Sequence, residues 1–381
     1  MKCFGFDPLR QSAVEVDFGV QVDHVEPSLR DDTPSTMLAP GFIDIQINGF
    51  AGVDYNAPDA PLDGMDASLR KIFATGTTRI LPTVITGSPA DMAGALKNLA
   101  KARETLPHGH AMEGFHVEGP HICPDDGPRG AHPRRWVRPP DIDEYRRWQE
   151  VSGGNVRLVT VSPEWPGTAG YVETLVQDGV VVSIGHTNAS GQQIRDAVAA
   201  GATLSTHLGN GAHRELVRHP NYIWEQMAED RLAASLIVDG IHLGAAFLKV
   251  ALRAKGVERS VLITDAVMPA ECAPGPYMLG EVEVQLHPDA RVTLRDGDKL
   301  AGSSLRMDRG IENLMRLAGL TLPEALTTAT RNPARVTRIP GRLRGLERGE
   351  RGDLVEFSYD SETQSIRVLR TWLSGDLVYC A

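Results

Sequence analysis

Eight short apolar runs alternate with longer segments of mixed polarity between residues 39 and 265. Several of these runs are rich in Val, Ile and Leu and nearly free of charge, which is typical of parallel strands covered by helices on both faces. Eight such runs in alternation with helical segments or long loops predict a closed (β/α)8 barrel of the TIM type, in the α/β class. The predicted strands are 41–47, 78–84, 112–117, 156–161, 180–184, 203–206, 234–238 and 261–264.

The segment 190–200 shows the helical periodicity between two of these runs. Ile194, Ala197 and Val198 recur at intervals of three and four residues, so they form one apolar stripe that would face the barrel. Ser190 can cap the start of this helix and Gly201 can end it.

The two ends of the chain have a different pattern. Short or alternating β-like runs occupy 13–22 before the barrel and 353–357 and 365–373 after it. We expect both termini to pair into one small β-sandwich domain, comprising 1–38 and 340–381, with the barrel spanning 39–339.

Composition narrows the class of protein. The chain has 381 residues, 41% of them hydrophobic, and a net charge of -10, without a basic block long enough to follow a nucleic-acid backbone. No apolar run approaches the roughly 20 residues needed to span a bilayer, and no signal-peptide pattern precedes the first run. We therefore expect neither a nucleic-acid partner nor a membrane partner. Because the four cysteines form no CxxC pair, we also expect reduced thiols and a cytoplasmic protein.

Polar residues at the ends of barrel strands are the first candidates for chemistry, because TIM-barrel active sites lie at the carboxyl ends of the strands. Glu118 ends the third run, His186 the fifth and His207 the sixth. One carboxylate and two imidazoles that leave a fourth position open are the ligand set of a catalytic zinc. We therefore predict that these three residues bind one divalent metal ion. Ordinary hydrogen-bonded polar residues at strand ends are the alternative.

Asp265 ends the eighth run and could move protons at the barrel mouth as a general base and acid. A helix-capping aspartate is the alternative for this position. His116 lies two residues before Glu118 and points to the same side of the strand, and we expect it to support the site or the core and not to bind metal.

Several motifs together resemble the amidohydrolase superfamily and, within it, the N-acetylglucosamine-6-phosphate deacetylases. The resemblance runs from about residue 39 to residue 333 and depends on the order of the motifs, since each alone is weak. The matching motifs are PGFID at 40–44, GFHVEGP at 114–120, GAHP at 130–133, SIGHTN at 183–188, STHLGN at 205–210, VDGIH at 238–242, TDA at 264–266 and AGSS at 301–304.

The resemblance assigns roles to individual residues. It implies that Glu118, His186 and His207 bind one zinc ion, that Asp265 is the general acid and base, and that His132 helps to polarise the acetyl carbonyl. It further implies that the sugar or its phosphate is contacted by Asn210, Gly211 and His242, and that the pocket is lined by Leu300, Ala301 and Gly302.

Arg218 occupies the position where the family has an arginine that reaches the substrate phosphate of a neighbouring subunit, and a guanidinium fork suits that task. This implies a homodimer. The family usually continues with Glu-Pro-Gly, whereas this chain has His219-Pro220-Asn221, and a solvated surface arginine is the alternative.

Other departures bear on the metal and the substrate. Gln46-Ile47-Asn48 replaces the His-x-His found in relatives with two metals, and the strand ending at Ser162 lacks the lysine that bridges two metals in relatives acting on cyclic amides. Neutral amides are poor zinc ligands, so we predict a single metal. The sequence LGNGAH at 208–213 replaces the usual Leu, aromatic, Asn-Ala-Met, which changes one wall of the pocket.

The predicted reaction is hydrolytic deacetylation of an N-acetylated amino sugar, with N-acetylglucosamine 6-phosphate as the expected substrate. Two alternatives stay open at this point. One is hydrolysis of another N-acyl compound, such as an unphosphorylated N-acetyl sugar or an N-acyl amino acid. The other is a sugar-phosphate-binding protein without catalytic activity.

Overall fold

A barrel of eight parallel strands forms the centre of the molecule, as predicted. The computed structural model describes residues 1–28, 34–341 and 343–381. Every predicted apolar run overlaps a barrel strand, and the strands follow one another around the barrel in chain order. The first to eighth barrel strands are Phe42–Ile47, Thr77–Ile85, Phe115–Glu118, Val156–Val161, Val181–Ile184, Leu204–Ser205, Ala233–Ile237 and Ser260–Ile263.

The barrel closes between its eighth and first strands. Ile47 and Ala266 form a parallel bridge, and the backbone N–H of Asp265 donates to the carbonyl of Gln46 at 2.9 Å. Closure brings the end of the chain's last barrel strand beside the end of its first. Residues from these two strand ends can therefore share one site at the barrel mouth.

Helices cover the barrel. The predicted helix is confirmed as Gly191–Ala199, where the Ser190 hydroxyl accepts from the Gln193 backbone and the Gln193 side chain returns to Ser190 in a capping box. Its apolar stripe is buried, as the periodicity predicted. The α-helices are Leu62–Phe73, Pro89–Thr105, Ile142–Val151, Thr168–Gln177, Gly191–Ala199, Tyr222–Ala228, Ala245–Lys255, Met307–Asn313, Leu322–Ala329 and Arg331–Val336.

Both termini contribute to a separate seven-stranded sheet, as expected. Phe18 and Trp372, from strands near opposite ends of this sheet, meet edge to face at 5.7 Å, so the sheet folds over its own small core. The exact domain boundaries stay a prediction, and parts of the predicted ranges 1–38 and 340–381 lie outside the described residues. In spatial order the strands are Asp376–Cys380, Ser365–Leu373, Leu354–Asp360, Met37–Pro40, Lys2–Asp7, Ser12–Phe18 and Val22–Pro27.

Two small antiparallel units at the barrel mouth have no counterpart in the sequence predictions. One is a hairpin of Gly49–Phe50 and Val53–Asp54. The other, which we call the flap, is a three-stranded sheet of Gly275–Leu279, Val282–Leu286 and Val292–Leu294. The first flap strand alternates between half-buried and exposed positions, so it lacks the continuous apolar run that marks a barrel strand.

Within the described ranges, no helix combines the length and the hydropathy needed to cross a bilayer. All four cysteines are free thiols.

A buried ion pair joins the barrel to the terminal sheet, and breaking it should destabilise the fold. Arg79 of the second barrel strand is completely buried, and its Nε lies 2.5 Å from Oδ2 of Asp353. We expect Asp353→Ala to lower the free energy of unfolding by about 3–5 kcal/mol, because a buried guanidinium loses its main counter-charge.

Denaturant titration of the purified variants measures this effect. The control is Glu150→Gln, which breaks an exposed ion pair with Arg147 and should cost less than about 1 kcal/mol. Equal losses from the two substitutions would contradict a structural role for the buried pair.

Candidate active site

A cavity of about 610 Å³ opens at the carboxyl ends of the barrel strands. It gathers residues that lie far apart in the chain, and with the exception of Arg218 every predicted site residue lines it. These residues are Glu118, His132, His186, His207, Asn210, Gly211, His242, Asp265, Leu300, Ala301 and Gly302.

Glu118, His186 and His207 form a compact group that could hold a metal ion, since one ligand atom from each lies within 4.8 Å of the others. Glu118 Oε1 is 2.9 Å from His207 Nε2 and 3.3 Å from His186 Nε2, and the two Nε2 atoms are 3.0 Å apart. All three side chains are buried. Burial raises the pKa of Glu118, but its close side-chain contacts with His186 and His207 outweigh burial and hold this pKa well below the usual range.

The hydrogen bonding of His186 fits a metal ligand. Its Nδ1 lies 2.7 Å from the carbonyl oxygen of Pro128, which can only accept, so Nδ1 carries the proton. The lone pair is then on Nε2, the atom that faces Glu118 and His207. A backbone carbonyl that fixes the tautomer in this way is the usual support of a metal-binding histidine.

Three residues of the site have left-handed backbone conformations. The φ angles are 50° at His186, 30° at His207 and 50° at Asp265, and each residue directly follows or closely follows a barrel strand. Non-glycine residues rarely adopt such angles, and they cluster where a site requires an unusual side-chain direction. The backbone thus turns sharply at these strand ends and directs three polar side chains into one cavity.

Asp265 is held by the two amides that replace His-x-His. Asn48 Nδ2 donates to Asp265 Oδ1 at 2.7 Å, and Gln46 Nε2 donates to the same oxygen at 3.2 Å and to Glu118 Oε1 at 3.0 Å. Burial, followed by the charge of Glu118, raises the pKa of Asp265 to about 6. This carboxyl group can therefore exchange a proton near neutral pH.

His132 lies beside the candidate metal group. Its ring centre is 4.4 Å from that of His186, and its Nδ1 is 2.8 Å from the Thr86 hydroxyl. Burial, helped by the neighbouring His186, lowers the pKa of His132 to about 3, so the ring is neutral. A neutral imidazole fixed at Nδ1 can present its other nitrogen to a carbonyl oxygen.

His242 is oriented by an acidic partner. Its Nδ1 lies 2.6 Å from Asp239 Oδ2, while Asp239 Oδ1 accepts the backbone N–H groups of Ile241 and His242. Burial raises the pKa of Asp239, but the bonds with His242 outweigh it and the net pKa is lowered. This arrangement favours an imidazole whose other nitrogen is available to a ligand in the cavity.

Position 211 requires a glycine, because the backbone there passes close to the imidazole of His186. The φ of Gly211 is 54°, and a β-carbon there would lie 2.6 Å from His186 Nδ1. Gly211, one of two glycines at 208–213 that depart from the family pattern, thus packs against His186 of the candidate metal group. Beside it, the Asn210 side chain donates to the His207 carbonyl at 3.3 Å.

The sequence predictions missed two cationic side chains that line the mouth of the cavity. Arg214 pairs with Asp298 at 2.8 Å, and Lys299 pairs with Asp126 at 3.1 Å, so ion pairs link loops far apart in the chain. Arg218, by contrast, is exposed and does not line the cavity of its own chain.

His116 lies outside the candidate metal group, as expected. It is fully buried, and its Nε2 is 2.7 Å from the Thr160 hydroxyl. That hydroxyl is in turn 2.7 Å from the hydroxyl of Thr206. Burial lowers the pKa of His116 to about 4, so it serves as a neutral member of a hydrogen-bonded network beneath the site.

Comparison with known proteins gives the class of this molecule. The amidohydrolase family matches residues 37–378. The chain belongs to this family and is a metal-dependent hydrolase.

Individual relatives narrow the class further. The chain is 32% identical over 347 residues to the N-acetylglucosamine-6-phosphate deacetylase of Bacillus subtilis, which covers 90% of this chain and 85% of that protein. It is 33% identical over 341 residues to the N-acetylgalactosamine-6-phosphate deacetylase of Escherichia coli O157:H7, which covers 90% and 87%. Among solved structures, a mutant N-acetyl-D-glucosamine-6-phosphate deacetylase from Mycobacterium smegmatis, in complex with its sugar phosphate, superposes with a TM-score of 0.86 at 28% identity, covering 96% and 94%.

Proposed function

We propose that this protein hydrolyses the acetamide group of an N-acetylated amino sugar 6-phosphate, with N-acetylglucosamine 6-phosphate as the expected substrate and acetate and the free amine as products. The observation that carries the proposal is the convergence of Glu118, His186, His207 and Asp265 on one cavity. The relatives named above act on 6-phosphates of both glucosamine and galactosamine derivatives, which supports the phosphorylated amino sugar as the substrate class.

The ligand set supports one divalent metal, and zinc is the expected ion because a Glu/His2 site with an open position suits it. When bound at Glu118, His186 and His207, the metal supplies Lewis acidity that activates water and polarises a carbonyl. Gln46 and Asn48 are neutral amides and serve Asp265 and Glu118 as hydrogen-bond donors, which leaves no second ligand set at this strand end.

Asp265 moves the proton in this proposal. Its Oδ1 is occupied by the two amides, so its Oδ2 takes the proton from the attacking water and returns it to the leaving nitrogen. His132, fixed by Thr86, donates from Nε2 to the acetyl oxygen as negative charge develops there. The amide C–N bond then breaks, and the acyl carbon leaves as a carboxylate.

His242, Asn210 and Gly211 bind the sugar and its phosphate, and Leu300, Ala301 and Gly302 form the facing wall. Replacing His242 with Ala should raise KM for a phosphorylated substrate by about 10- to 100-fold, since a hydrogen bond to a charged group contributes roughly 1.5–3 kcal/mol. The KM for the unphosphorylated sugar should rise much less. Steady-state kinetics on both substrates measures the difference, and equal losses would argue against contact with the phosphate.

We also propose a homodimer in which Arg218 of one subunit reaches the substrate phosphate of the other. Arg218 is exposed. Val217, its neighbour in the chain, and Trp224 of the following helix expose 70% and 49% of their surface, which suits apolar residues that a second subunit covers. Sedimentation of the purified protein tests the assembly. A monomer at assay concentration would contradict this part of the proposal.

A substrate panel tests the function itself. Acetate release is measured with the 6-phosphates of N-acetylglucosamine and N-acetylgalactosamine, the plain sugars, and an N-acetyl amino acid. The proposal expects the highest kcat/KM with one of the 6-phosphates. Preference for a plain sugar or an amino acid would favour a different N-acyl hydrolase, and no acetate from any compound would favour a sugar-phosphate-binding protein.

A further inference from the structure

A second cavity of about 340 Å³ opens from the side of the active site, and we call it the side lobe. It is not an isolated void, because one set of residues lines both spaces. The shared residues are Asn48, Ile85, Val267, Leu279 and Val282.

The side lobe adjoins the reacting end of the site and not its sugar-binding end. Asn48, which lines the lobe, donates to Asp265, and Thr86, which also lines it, contacts His132. His242 lines the main cavity alone. Because Asp265 and His132 act on the two sides of the amide in the proposed reaction, the acyl group of the substrate, and not its sugar, faces the lobe.

The lining of the side lobe indicates what it could receive. The wall shared with the main cavity is mostly apolar and includes Ile85 and Val267. The lobe is also lined by four carboxylates, of which Glu281 is paired with Arg135; they are Asp54, Asp59, Asp91 and Glu281. No lysine or arginine lines the lobe within the described residues. A water molecule occupies about 30 Å³ in the liquid, so the lobe has room for several non-hydrogen atoms beyond an acetyl methyl.

Asn48 supplies an independent indication of a ligand at the junction. It is 95% buried, given its exposure of 5%, and its Oδ1 has no hydrogen-bond partner among the described residues, although its Nδ2 is bound to Asp265. A buried amide oxygen without a partner is costly. A donor on a bound acyl chain, such as a hydroxyl or ammonium group, would satisfy it.

We propose that the side lobe is an acyl-group subsite, which lets the enzyme hydrolyse amino sugar phosphates whose N-acyl chain is longer than acetyl and ends in a neutral or positively charged group. The inference rests on the proposed function, and the reaction is the same. Water oxygen bonds to the acyl carbon, the amide C–N bond breaks, one proton passes to nitrogen, and the products are the free amine and the longer carboxylate.

A substrate series on one sugar tests this subsite. The compounds are the N-acetyl, N-butyryl, N-(4-aminobutyryl) and N-succinyl derivatives of glucosamine 6-phosphate, and release of the free amine is followed. We expect kcat/KM for the butyryl and aminobutyryl compounds within about tenfold of the acetyl compound, and at least about tenfold lower values for the anionic succinyl compound. A larger loss for the butyryl compound, or no discrimination against the succinyl compound, would overturn the proposal.

Filling the lobe tests its location. Gly87 lines the side lobe and not the main cavity. A β-carbon there would meet only Met92 Cγ at 3.5 Å and the Ile85 carbonyl at 4.0 Å. In Gly87→Phe, the ratio of kcat/KM for butyryl to acetyl substrate should fall by about tenfold or more, because the added ring takes the space of the chain. Gly87→Leu is the smaller version should the first variant fold poorly.

The matched control is Gly170→Phe on an exposed helix position, where a β-carbon meets nothing within 4 Å. It should leave the ratio as in the wild type. An unchanged ratio in both Gly87 variants would overturn the subsite even with acetyl hydrolysis intact. If the wild-type protein did not hydrolyse the N-acetyl substrate at all, the proposed function would be contradicted. Failure of the subsite and failure of the function are therefore distinguishable.

Discussion

An Asp265→Asn variant is expected to keep its metal and to lose kcat by about 10²- to 10⁴-fold, the range that general acid–base catalysis contributes. The substitution preserves size, but an amide cannot accept the proton of the attacking water. Asp265 stands outside the group of three candidate ligands, so metal content should stay the same. Steady-state kinetics together with metal analysis by mass spectrometry measures both quantities.

Asp7→Asn is the matched control for this prediction. Asp7 is also buried, but it lies in the terminal sheet, where it accepts the backbone N–H groups of Leu9 and Arg10. Its variant should retain the wild-type kcat. An Asp265→Asn enzyme that turns over at the wild-type rate would remove Asp265 from the mechanism, and one that loses its metal would make it a structural support of the ligands.

The barrel was predictable because its signal is local. Each buried strand carries its own apolar run, and the predicted range 156–161 coincides with the strand Val156–Val161. The third strand starts three residues later than predicted, at Phe115, because Gly114 has a φ of 156° and breaks the extended run. The flap was missed for the opposite reason, since its strands depend on contacts with one another and with the barrel mouth.

The position of a candidate residue at the barrel mouth was predictable where the residue ends a strand, as Glu118 does, or follows it closely, as Asp265 does. Residues that act through another side chain carry no such signal. Gln46 and Asn48 were recognised as poor metal ligands. Their spacing of two residues at the end of one strand could also have indicated that both amides face the same way, towards Asp265. The pairing of Arg214 with Asp298 joins segments 84 residues apart, and no pattern in the sequence indicates it.

Removal of the metal should have the largest effect of all. Dialysis of the wild-type protein against a chelator is expected to lower kcat by about 10³-fold or more, since Lewis acidity contributes several kcal/mol and each 1.36 kcal/mol is a factor of ten. Adding back one equivalent of Zn²⁺ per chain should restore activity. Parallel additions of Co²⁺ and Fe²⁺ show which ions the site accepts, because geometry and ligand type allow more than one.

His186→Ala tests the same site within the chain. The variant removes an imidazole whose Nδ1 is fixed by the Pro128 carbonyl, so Glu118 and His207 remain as an incomplete ligand pair. We expect weakened metal binding and a loss of turnover that added Zn²⁺ reverses only partly. His24→Ala, at an exposed position of the terminal sheet, is the control and should bind metal and turn over as the wild type does.

If the metal-free protein or the His186 variant kept full activity, hydrolysis would have to proceed from Asp265 and His132 alone. A carboxylate and a neutral imidazole would then have to activate water and stabilise the developing charge without a cation. The whole measured rate would be due to those two residues.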